Sequence, residues 1–93
     1  SQIQGPTPAA PFVSVSGRVS NSGGYGVFRA VVTITDSQNN VRYTYTSPFG
    51  YYSFANVATG GTYTIAVSSK QYTFTPQTMQ LNADSNVDFV AGP

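Results

Sequence analysis

Asp84, Asn86 and Asp88 alternate in a D-x-N-x-D run, the spacing at which hard oxygen ligands begin a calcium loop. Such a loop also needs a glycine at its sharp turn and a later bidentate glutamate, and neither follows here. A polar turn running into the last strand accounts for the same residues, and Asp36 with Asn39 and Asn40 reads in the same way as a hairpin connection. No metal site is therefore expected. The chain has no histidine and no cysteine, so it lacks a general base poised near neutral pH, an imidazole or thiolate zinc ligand, and any disulfide. We expect no catalytic residue, no cofactor and no enzymatic activity.

The cations are equally sparse. Arg18, Arg29, Arg42 and Lys70 against three acids give a net charge of +1, with 8% of residues charged. Four positive groups are too few to neutralise a phosphate backbone, so nucleic acid is not an expected partner, and anionic membranes are disfavoured for the same reason. No apolar run approaches the roughly 18 residues of a membrane-spanning helix, which excludes helical membrane insertion as an expectation. Ser, Thr, Asn, Gln and Tyr fill the polar positions, and a surface of low net charge favours association. This composition points to an extracellular or cell-surface setting. Asn21, Asn56, Asn82 and Asn86 lack the hydroxyl residue of an N-glycosylation site, leaving Thr7 as the easiest position for an O-linked glycan.

The elements that hold these residues follow from periodicity. Residues 1–11, SQIQGPTPAAP, carry three prolines and no alternation, which reads as an extended arm ahead of one domain over residues 12–93. From Phe12 the period becomes two: Val13, Val15, Gly17 and Val19 alternate with Ser14, Ser16, Arg18 and Ser20. AVVTIT and VRYTYT flank a polar hairpin, and after Gly50 and again after the Gly60–Gly61 pair the alternation resumes, placing Tyr52 with Phe54 and Tyr63 with Ile65 and Val67. Pro76 interrupts an irregular crossing, after which Met79 and Leu81, then Val87 and Phe89, point inward. About seven short strands with turns every 8–12 residues and no sustained helical period predict an all-β Greek-key sandwich. The predicted core is Val13, Val15, Val19, Val32, Ile34, Tyr52, Phe54, Tyr63, Ile65, Val67, Leu81, Val87 and Phe89.

Between Val13 and Val90 the chain resembles the carboxypeptidase regulatory-like domain, a seven-stranded sandwich of the transthyretin-like group found in bacterial surface proteins. Gly17-Arg18-Val19, Gly26-Val27 and Ala30 fit the opening of the family pattern, and Thr46, Gly50, Tyr52, Phe54, Val57, Gly61, Tyr63 and Ile65 fit its centre in order. Arg29 stands where the family often has glycine, and Lys70-Gln71-Tyr72 lacks the glycine of a common turn. The resemblance implies a non-catalytic spacer, adhesive or assembly module and brings no active-site residue with it. Some related surface domains cross-link a lysine to an asparagine, but Lys70 at a strand end is the wrong placement for that bond.

The register implied by this resemblance turns Thr44 and Thr46 inward, so that Tyr43 and Tyr45 point outward, and Tyr51 on the next strand is expected on the same side. Tyrosine joins a large contact area to a polar tip, as interfaces and sugar platforms require. The leading expectation is a structural subunit of an extracellular, pilus-like fibre, a homopolymer joined through the arm with Ile3, Pro6, Pro8 and Phe12 as its contacts. The alternative is a carbohydrate-binding, adhesive or spacer module of a larger surface protein, with Tyr43, Tyr45 and Tyr51 as a glycan platform.

Overall fold

The structure, a computed structural model, describes residues 11–93. Eight strands follow in order: β1 Phe12–Ser20, β2 Val31–Thr35, β3 Val41–Tyr45, β4 Tyr51–Ala58, β5 Thr62–Ser68, β6 Gln77–Gln80, β7 Ser85–Asn86 and β8 Phe89–Val90. One sheet runs β4-β1-β7, with β8 also on β1, and the other runs β3-β2-β5-β6. Expected strand positions and sandwich class are both found. The difference is at the end of the chain, where one expected closing strand is two short ones.

The break between β7 and β8 has a physical cause. Asp84 Oδ1 accepts the Ser14 N–H at 2.9 Å, and Asp88 Oδ1 accepts the Arg18 N–H at 2.8 Å. Side-chain carboxylates thus take bonds that a continuous backbone ladder along β1 would otherwise supply, while Val87 N–H still donates to the Ser16 carbonyl at 2.7 Å. The D-x-N-x-D run is therefore strand-closing architecture, and no cluster of potential metal ligands occurs among the described residues. At the β2–β3 hairpin, Asp36 accepts the N–H groups of Gln38 and Asn40 and the side-chain amide of Asn40. Asn40's side-chain bond, above all, holds the Asp36 carboxyl below its ordinary range.

The two sheets enclose one core. Eleven of the thirteen predicted core residues are buried, whereas Tyr63 and Val67 are only partly buried and pack against the rest. Val27, Ala30, Val57 and Ala91 are also buried. Val57 is displaced from the simple alternation by a bulge: β1 residues Val13 and Val15 pair with Val57 and Phe54, so β4 carries an extra residue there, and Asn56 takes a positive φ of 57°. β3 and β4 pair only with β2 and β1 respectively, so each forms one edge of its sheet, the other edges being β6 and the short β7 and β8. Arg42 spans the β3 and β4 edges, with its guanidinium 5.6 Å from the Phe54 ring centre and Nη1 donating to the Asn56 carbonyl at 3.3 Å. An inward-directed charge of this kind blunts the edge it covers.

Candidate interaction surface

The turns after β1, β3 and β5 meet at one pole of the sandwich. Gly50, at φ 88°, packs so tightly that a Cβ there would lie 2.2 Å from the Val19 carbonyl oxygen and 3.0 Å from Gly26 Cα. Thr46 fastens the same loops from inside: its buried hydroxyl donates to the Val27 carbonyl at 2.5 Å and accepts the Ala30 N–H at 2.9 Å. Arg18 works from outside, donating through Nε to the Phe49 carbonyl at 3.0 Å and through Nη2 to the Gly24 carbonyl at 3.1 Å. Its guanidinium also lies 5.8 Å from the Tyr51 ring centre.

The fastened loops display aromatics that have no core to enter. Tyr25 is 75% and Phe49 73% exposed, and Phe28 and Tyr51 are exposed beside them. Sequence periodicity missed Tyr25, Phe28 and Phe49 because they belong to turns. For Tyr25 and Phe49 the signal was local: an aromatic set among turn formers, as in GYG and PFG, has no inward parity to obey.

Tyr43 and Tyr45 are exposed as expected and pack edge to face, with centroids 5.9 Å apart. Tyr51 is exposed too, but the expected three-tyrosine platform is corrected by the topology. Tyr43 and Tyr45 oppose Thr33 and Val31 on the outer face of the β3-β2-β5-β6 sheet, whereas Tyr51 opposes Arg18 in the other sheet, on the side away from buried Tyr52. Consecutive strands β3 and β4 belong to different layers, so their outward residues face opposite ways. Phe12 opens β1, opposite Ala58, with its ring exposed. Ile3, Pro6, Thr7 and Pro8 lie outside the described residues, as does the arm up to residue 10.

The sequence profile of the carboxypeptidase regulatory-like domain matches residues 14–91. The chain belongs to this family. No curated protein matches it significantly. The structure gives the carboxypeptidase regulatory-like pattern physical content here: Gly50 makes the close turn, Thr46 ties the loops, and Tyr52, Phe54 and Val57 fill the core. At the departure, Arg29 adopts φ 58°, a left-handed backbone that glycine enters without cost and arginine does not. Lys70, beyond the end of β5, is exposed rather than enclosed in the core.

Proposed function

We propose that this carboxypeptidase regulatory-like domain is a non-catalytic structural subunit that joins copies of itself end to end in an extracellular, pilus-like fibre. The observation that carries this reading is the separation of its two ends. The N-terminal segment enters beside Thr59, whose N–H donates to the Pro11 carbonyl at 3.1 Å. Tyr25, Phe28 and Phe49 stand at the opposite pole, beyond the far end of the nine-residue strand β1, roughly 25–30 Å away. A segment entering at one pole and an exposed aromatic patch at the other make a heterologous contact, which propagates instead of closing.

Sedimentation velocity over a graded concentration series tests this. The chain is expected to form concentration-dependent species larger than a dimer, and the double variant Tyr25→Ser, Phe49→Ser is expected to remain monomeric and folded. A chain that stays monomeric at every concentration contradicts the reading. The second reading, a saccharide-binding or adhesive module, is favoured by the edge-to-face Tyr43–Tyr45 pair on an otherwise uncrowded sheet face.

A further inference from the structure

Beside the aromatic pole, between the β1–β2 and β5–β6 loops, lies an open cleft of about 730 Å³. Its size falls within the range of small-ligand sites. Phe28, Arg29, Tyr45, Ser69, Lys70 and Gln71 are among its lining residues, and no acidic residue lines it. Two of the chain's four cations thus share one cleft, while all three acids hold backbone N–H groups elsewhere. The Arg29 guanidinium lies between two rings, 6.0 Å from the centre of Phe28 and 5.6 Å from that of Tyr45. Its backbone sits at φ 58°, a conformation that favours glycine. Strained non-glycine backbones gather at ligand clamps, where a side chain is worth the conformational cost.

We propose that this cleft binds an acidic saccharide. Arg29 and Lys70 engage the anionic group, Tyr45 and Phe28 face the apolar C–H surface of the sugar, and Ser69 and Gln71 hydrogen-bond its hydroxyls. Rings beside neutral hydrogen-bonding side chains suit a pyranose, and paired cations without a neutralising acid select against an uncharged one. A carboxylate and a sulfate ester present the same anionic oxygens. The site does not depend on fibre formation, because every group in it comes from one copy of the chain.

Titration of the monomeric chain, followed by amide chemical shifts, tests the site with three probes: digalacturonic acid, a sulfated disaccharide and neutral digalactose. At least one acidic probe should bind, shifting residues around Arg29 and Lys70, with digalactose at least tenfold weaker. Response to digalacturonic acid assigns the group as carboxylate, and response only to the sulfated sugar assigns it as sulfate. Arg29→Gln and Lys70→Gln should each weaken binding roughly tenfold or more, and added salt should weaken it further. Arg29→Gly should raise the melting temperature while abolishing binding, separating a ligand role from a structural one. The proposal is overturned if neither acidic probe binds, if digalactose binds equally well, or if the glutamine variants bind as the parent does.

Discussion

Tyr52 on β4 donates its phenolic proton to the carbonyl of Val87 at 2.5 Å, passing over Gly17 of β1 and joining the β4 edge of one sheet to the break between β7 and β8 on the other side of the same sheet. The same ring packs near Phe54 and Phe89, with centroids 6.0 and 6.5 Å away. One side chain therefore couples the middle of the fold to its last strand. Tyr52→Phe keeps the packing and removes the bond, and should cost roughly 1–2 kcal/mol in urea unfolding.

Alkaline pH tests the same residue. Burial, with the nearby Asp88 charge adding to it, pushes the Tyr52 phenol well above its ordinary range. Unfolded chain then releases the proton near pH 10 while folded chain retains it. The stabilisation is complete below that pH and is lost as pH rises above it. Denaturation midpoints between pH 8 and 11.5 should fall more steeply above pH 10 for the parent than for Tyr52→Phe; parallel curves would contradict this.

Thr46→Val should be among the more damaging isosteric changes. It withdraws the hydroxyl that serves both Val27 and Ala30 in a buried site, at a cost of about 2–4 kcal/mol. Thr46→Ser retains both bonds and should lose much less. Equal melting curves for the two variants would mean that the hydroxyl is not holding the loops.

Most of the core was legible because a half-buried strand must alternate, and β1 does so from Phe12 with little interruption. Val57 escaped because the bulge at Asn56 shifts it by one residue, and Val27 and Ala30 because loops have no period. The roles of Asp84 and Asp88 were legible as a turn but not as acceptors for Ser14 and Arg18, since each bond spans 70 residues of sequence. The surface was least legible. Whether Tyr51 shares a face with Tyr43 depends on which sheet β4 joins, and alternation within one strand carries no information about the other layer.

Truncating the core checks the register directly. Phe54→Ala and Ile65→Ala each remove a buried side chain and should destabilise by roughly 2–5 kcal/mol. A domain of this size has little stability in reserve, so much of the population should unfold. Losses below about 1 kcal/mol at both positions would contradict the inward assignment.

The split between tyrosine faces separates the two functional readings. In the fibre, Tyr51→Ser should reduce assembly along with Phe49→Ser, because Arg18, bonded to the Phe49 carbonyl and set against the Tyr51 ring, places both exposed side chains at the same pole. If Tyr43 and Tyr45 form a glycan platform, the double serine variant should lose binding on a glycan array and leave assembly intact. A uniform effect of all three tyrosines on one property would contradict their placement on opposite faces.

Self-assembly itself is most directly tested by negative-stain electron microscopy of the concentrated chain, covering residues 1–93 and compared with a form beginning at Phe12. The account predicts thin unbranched fibres from the full chain, with a repeat close to the length of one sandwich, and dispersed particles from the shortened one. Dispersed single domains in both samples, or fibres equally abundant without residues 1–11, would contradict it.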